Sequence, residues 1–224
     1  MTLGDERWVE VTPSQFEHET DGLEIVRALL PDTTPFRAWA NFEFRDNHGR
    51  WHEVDLLVLG RSRLHLVELK YYSGVLTGDD HRWMRPGRRA EDSPLKLAHR
   101  KAQYLASRLK DAAAEWARES GTKVPDLRLI VPYVEASVFL HHPQFRCELD
   151  EHSSQGLYGL DGKTHQTQLP GISDLLMQPP GHHRTVTASN DRLLPVLMKR
   201  LGFVPRRERT AGSWVIEESL AAEG

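Results

Sequence analysis

The sequence predicts an α/β fold of the restriction-endonuclease-like kind: a mixed β-sheet flanked by helices, with a smaller irregular extension at its C-terminal side. Three observations carry this. Two apolar, strand-like runs at 53–60 and 64–70 flank a short polar turn, Gly60-Arg-Ser-Arg63. A long amphipathic segment then leads to apolar runs at 127–131 and 134–140, so strand, helix and strand follow one another as in a partly parallel sheet. Beyond about residue 141 the chain becomes polar and rich in turn signals such as Asp161-Gly and Pro179-Pro-Gly.

Each element has its own warrant. Thr12-Pro13-Ser14 offers a helix start, Phe16, Leu23, Val26, Ala28, Leu29 and Leu30 an apolar face, and Pro31 a stop. Residues 36–44 alternate bulky side chains as a strand does, and Asp46-Asn-His-Gly49 is a turn into the next strand. After Lys70 the chain reads as a further strand and hairpin. Here Arg82, Arg85, Arg88 and Arg89 are interleaved with Tyr71, Tyr72 and Trp83, a mixture suited to phosphates and bases. Ser93-Pro94 then opens a helix to about Ser120, closed by Gly121, with Leu95, Ala98, Ala102, Leu105 and Leu109 at helical spacing. Residues 127–131 read as a strand, 134–140 as its extension or successor. Residues 175–177 and 191–201 are expected as small helices, the second ended by Gly202, and 205–224 resembles a linker.

The chemistry concentrates in the first strand pair. Asp55, Glu68 and Lys70 are charges within apolar runs, where burial costs several kcal/mol unless they are paired or hold a metal. Glu68 and Lys70 are two residues apart, so they share a face at about 6.6 Å. An antiparallel pairing about Gly60 sets Asp55 beside them. Two carboxylates and an amine form a hard-oxygen site for Mg²⁺ or Mn²⁺, with a lysine to orient water and offset phosphate charge.

This order, Asp55 and then Glu68-Leu69-Lys70, resembles the signature of the PD-(D/E)xK nuclease superfamily. The wider stretch, from Phe16-Glu-His-Glu19 through Trp51-His-Glu-Val-Asp to Val67-Glu-Leu-Lys, is similar to the nuclease-related domain, abbreviated NERD. Pro35-Phe-Arg-Ala-Trp-Ala-Asn-Phe-Glu-Phe and Ser93-Pro-Leu-Lys resemble a narrower branch, the segment preceding the kinase in PglW-type proteins of phage-growth-limitation and BREX defence. The resemblance covers about residues 12–140. It implies a Mg²⁺- or Mn²⁺-dependent endonuclease, with Asp55, Glu68 and the carbonyl of Leu69 as metal ligands and Lys70 as the residue activating water. It implies a glutamate on the first helix as well: Glu19 is matched, with Glu17 and Glu24 as competitors. Nucleic acid, DNA first, is the implied partner, with Arg82, Arg85, Arg88, Arg89 and Lys101 as contacts. Phage-defence proteins and a downstream kinase domain are further implied partners. Leu97 stands where many such sequences carry glutamine, which leaves Lys101 and Gln103 as alternatives.

The bounds agree with this expectation. At 224 residues and 39% hydrophobic content, the chain can form a nuclease core over 1–145, a loop-rich extension over 146–204 and a tail over 205–224. No run approaches eighteen apolar residues and the N-terminus is acidic, so a cytoplasmic protein with no membrane partner is expected. One cysteine, Cys147, excludes an internal disulfide framework. A net charge of -3 means that any nucleic-acid surface must be local. His141, His142, Cys147 and His152 fit no common zinc spacing. P-loop, dinucleotide-glycine and kinase motifs are absent.

Overall fold

The computed structural model describes residues 2–180 and 185–206. Its main sheet has seven strands. Its path runs β1 (Trp8–Glu10), β2 (Arg37–Arg45), β3 (Trp51–Leu59), β4 (Leu64–Lys70), β8 (Val134–Leu140) and β10 (Leu157–Tyr158). The seventh strand, β11 (Val204–Pro205), pairs with Phe42 and Glu43, so β1 and β11 divide one edge of β2. β2, β3 and β4 are antiparallel neighbours, whereas β4 and β8 run parallel through the long crossover helix. This is the mixed sheet that the sequence predicts. Four shorter strands, β5 (Gly74–Gly78), β6 (Arg82–Met84), β7 (Glu91–Asp92) and β9 (Phe145–Cys147), make a second sheet in the order β7-β6-β5-β9.

Helices cover both faces. Residues of α2 (Pro94–Glu119) and α5 (Ala188–Leu201) share a core with Phe44, Leu57 and Leu66. On the other face α1 (Glu17–Leu29) and α4 (Ile172–Leu176) pack with Ala38, Leu56, Val67 and Phe139. The short α3 (Thr164–Thr167) lies between them in the chain. α2 begins with Pro94 at its first position after Ser93 and stops before Gly121, which takes φ 67. Gly22 lets α1 approach β8 closely, since a Cβ there would stand 2.9 Å from His141 Nε2. Among the described residues no helix is long and apolar enough to cross a membrane.

The structure corrects three expectations. Residues 127–131 do not form a strand: Leu127–Leu129 is a 3-10 turn, because the Asp126 carboxylate accepts from the Arg128 N–H at 2.9 Å and curls the chain. α1 starts only at Glu17, and Phe16, expected on its apolar face, stands at the extended cap position and is 56% exposed. Trp83, grouped with the arginines and tyrosines suited to phosphates and bases, is fully buried with Leu76, Leu140 and Phe145.

The extension is tied into the same cores. Ile172, Leu175 and Leu176 join one, and Leu194, Leu197, Met198 and Leu201 the other. Most of the expected tail, from residue 207 onward, lies outside the described residues.

The central strands change phase at one point. In β2, Trp39 faces the α2 core, and so do Phe42 and Phe44; in β3 the same core takes Val54, Leu57 and Leu59. Strict alternation forbids both sets. The break falls at Asn41, whose φ of 54 is left-handed, and at the facing residue Asp55. Asparagine is among the few residues that tolerate this conformation. The sheet thus turns over at Asp55.

Candidate active site

β3 and β4 pair with Leu56 opposite Val67, which places Asp55 beside Glu68 and Leu69. The Leu69 N–H donates to Asp55 Oδ2 at 2.8 Å. Glu68 has a cation on each oxygen: Lys70 Nζ at 3.2 Å from Oε1 and Lys101 Nζ at 3.0 Å from Oε2. Asp55 and Glu68 are 6% and 7% exposed, so both acids are held in a poorly solvated place. Lys70 is more open, at 26% of its side chain.

Burial and charge drive the two acids apart. Burial, and then the Glu68 charge, push Asp55 up to about 6 against the pull of Lys70, Arg206 and Lys101. Burial would raise Glu68 too, but Lys101 and Lys70 bring it below its ordinary value. For Lys70, burial works toward a lower value and is outweighed by Glu68 and Asp55, so the amine is raised and stays protonated at neutral pH.

A second group of acids meets Asp55. The guanidinium of Arg206, the residue after β11, binds Asp55 Oδ1 through Nη2 and Glu19 Oε1 through Nη1 at 2.5 Å, and its Nε lies 2.5 Å from Glu53 Oε1 as an ion pair without hydrogen-bond geometry. Asn41 Oδ1 accepts from Arg206 Nη1 at 3.2 Å. Asn41 is fully buried, and its Nδ2 has no hydrogen-bond partner among the described residues. Ser14 Oγ donates to the other Glu19 oxygen, and the Arg206 N–H donates to Thr12 Oγ1 at 2.7 Å.

The predicted site residues therefore separate into groups. Asp55, Glu68, Lys70, Leu69 and Glu19 come together, and of the competing helix acids Glu17 and Glu24 are exposed. Lys101, expected as a nucleic-acid contact, is 7% exposed and spent on Glu68, and Gln103 faces solvent. The sequence also offered Lys101 as the helix residue standing in for glutamine beside the site, and it is on Glu68 that its amine lies. Arg85 is braced by Glu91 at 2.9 Å and lies 3.6 Å over the Tyr72 ring. Arg82, Arg88 and Arg89 are exposed.

Glu53, Asn41 and Arg206 carry no such expectation from the sequence. Glu53 had a signal, lying two residues before Asp55 on the same strand. Arg206 had none to separate it from the neighbouring arginines. Beside the site, the rings of Phe16, His18 and Tyr71 stack at centroid distances of 5.5 and 5.2 Å, and Tyr71 reaches His142 at 4.5 Å.

The donor set suits a hard divalent cation: buried carboxylates from Asp55 and Glu68 and partly buried ones from Glu19 and Glu53, beside the Leu69 backbone. No three acidic, histidine or cysteine side chains among the described residues stand at metal-ligand spacing. The cation that three of the carboxylates surround is the Arg206 guanidinium, which is broader than an ion and holds them further apart.

A family model described as "nuclease-related domain" matches residues 14–140. The protein named "Probable kinase PglW" of Streptomyces coelicolor (strain ATCC BAA-471 / A3(2) / M145) is 36% identical over 202 residues, 88% of this chain and 11% of that protein. The chain thus spans about a tenth of that relative's length. No solved structure matches.

Proposed function

Because the chain belongs to the nuclease-related domain family, we propose that it is a metal-dependent nuclease module, hydrolysing phosphodiester bonds of nucleic acid, DNA first. The observation that carries this is the paired placement of Asp55 and Glu68 across β3 and β4, with Lys70 at 3.2 Å from Glu68. Asp55, Glu68, Glu19 and the Leu69 carbonyl are the groups that would hold Mg²⁺ or Mn²⁺. When bound, such an ion polarises a phosphoryl oxygen and acidifies water.

The protein's own residues do the rest. Lys70, 3.2 Å from Glu68 at the more open end of the pair, is placed to orient the attacking water and to offset negative charge on the phosphate. Lys101 fixes the Glu68 carboxylate from behind. Exposed Arg82, Arg88 and Arg89 provide phosphate contacts, and the exposed rings of Phe16 and Tyr71, next to Glu19 and Lys70 in the chain, offer stacking for bases. The kinase in the relative's name supports a place beside a kinase domain in a longer protein, and the resemblance to the phage-growth-limitation branch supports a defence role.

A second reading rests on one observation: the Asp55, Glu68, Glu19 and Glu53 carboxylates all have basic partners. It makes the domain a nucleic-acid- or partner-sensing module that binds without cutting. Plasmid DNA incubated with Mn²⁺ and the wild type, Lys70→Ala and Arg206→Met chains decides between them. The nuclease reading expects Mn²⁺-dependent degradation that Lys70→Ala lowers at least a hundredfold. Equal degradation by Lys70→Ala, or none by any of the three, overturns it, and retention of DNA without cleavage supports the second reading.

A further inference from the structure

Arg206 is an odd residue to find at the centre of an acidic site. It enters from β11, a strand of only two residues on the edge of β2, and its guanidinium has an acid on each nitrogen. Its side chain is 17% exposed, and those of Glu19 and Asp55 are 13% and 8%. Four carboxylates, Glu19, Glu53, Asp55 and Glu68, here meet three cations, Lys70, Lys101 and Arg206. Withdrawing Arg206 leaves two negative charges without compensation, which is the charge of one divalent ion. In a site this buried, uncompensated carboxylates are costly.

Asn41 adds a neutral oxygen to the same seat. Its side chain is fully buried, and its Oδ1, the amide atom able to face a cation, accepts from Arg206 Nη1 at 3.2 Å.

We propose that Arg206 is a tethered cation occupying the divalent-metal seat of this site, a seat completed by Glu53 and Asn41 beside Glu19 and Asp55, so that metal binding and docking of Arg206 exclude one another. The inference rests on the metal-dependent reading above. Docked Arg206 holds the module closed to metal; release of β11 opens it. Among the described residues, two strand residues and the Thr12 contact secure the backbone there, so a partner or ligand that engages β11 competes with few backbone bonds. By linkage, whatever factor Arg206 takes from metal affinity, metal takes from Arg206 docking.

The test is a titration of Mn²⁺ into wild type, Arg206→Met and Asp55→Ala chains, with free Mn²⁺ read by electron paramagnetic resonance and folding checked by near-ultraviolet circular dichroism. Expected are at least tenfold tighter binding by Arg206→Met than by wild type and loss of binding in Asp55→Ala. Equal affinity in wild type and Arg206→Met, still lost in Asp55→Ala, overturns the role of Arg206 and leaves the metal reading standing. No Mn²⁺ on any of the chains overturns both. A second readout needs no variant: trypsin must draw the Arg206 side chain out of the site to cut after it. Saturating Mn²⁺ should raise the fragment ending at Arg206 several-fold, by mass spectrometry, relative to cleavage after the exposed Arg88. An unchanged ratio overturns the proposal even if Arg206→Met fails to fold.

Discussion

Single buried charges in this protein divide by whether a partner is supplied. Glu68 is buried and has two lysines, so it remains a carboxylate below its ordinary pKa. His65, 1% exposed on β4, has the Glu135 carboxylate 3.8 Å from Nδ1 but no hydrogen bond to it, and burial, and next the Arg63 charge, bring it down to about 3. The unfolded chain, with His65 near its ordinary 6.5, therefore takes up a proton that the folded chain refuses. The contribution is whole above about pH 6.5 and is lost as pH falls toward 3, with a slope approaching about 1.4 kcal/mol per pH unit. Asp46 adds to the loss only below its ordinary 3.8: burial opposes its charge, but hydrogen bonds from His52, Arg50 and His48 hold it well down. Urea unfolding midpoints at pH 7, 6 and 5 should fall steadily in the wild type and much less in His65→Leu. Parallel lines for the two proteins would remove His65 from the account.

Elements are joined by charges as well as by apolar faces. α5 begins with a capping box, Thr187 and Asn190, and its Asp191 binds Arg7 at 2.8 Å and Arg37 at 3.2 Å, tying the helix to the chain before β1 and to β2. Both arginines are mostly buried, so Asp191→Ala leaves two like charges together and should cost about 3 kcal/mol. Hydrogen exchange in α5 should rise before exchange in α2 does. If α5 protection is unchanged, the pairing contributes nothing. Most elements were legible because their signals are local. Ser93-Pro94 and Gly121 bracket α2, Gly202 ends α5, and the Gly60 turn fixes the register that sets Asp55 beside Glu68. Residues 127–131 were misread because Asp126 can cap a turn as readily as it can precede a strand. Lys101 stayed open between two roles because helical spacing gives a face, and only the sheet's position tells that this lysine looks inward. Asn41 and Arg206 were illegible for a stronger reason: one is a backbone angle, the other a contact across 151 residues.

At the scale of the whole molecule, the open question is where the functional unit ends. The family model's match stops at residue 140 and composition places a boundary at 145, whereas similarity to the Streptomyces relative covers 88% of the chain. The cores run across both. Leu194, Leu197, Met198 and Leu201 of α5 fill the core that also holds Phe44, Leu57 and Leu105, and α4 supplies Ile172, Leu175 and Leu176 to the core beneath α1. Each of these seven side chains is nearly fully buried, and exposing one costs about 1.5–3 kcal/mol. Their loss together is as large as the total stability of an ordinary domain, about 5–15 kcal/mol. A chain cut after residue 145 should therefore lack fixed tertiary structure, giving little near-ultraviolet circular dichroism from its tryptophans and no cooperative thermal transition. A chain cut after residue 206 keeps both helices, β11 and Arg206, and should melt cooperatively. If the 145-residue chain instead melts as sharply as the longer one, the unit that carries Asp55, Glu68 and Lys70 is complete without its extension, and the extension has to be explained by what it does to Arg206 alone.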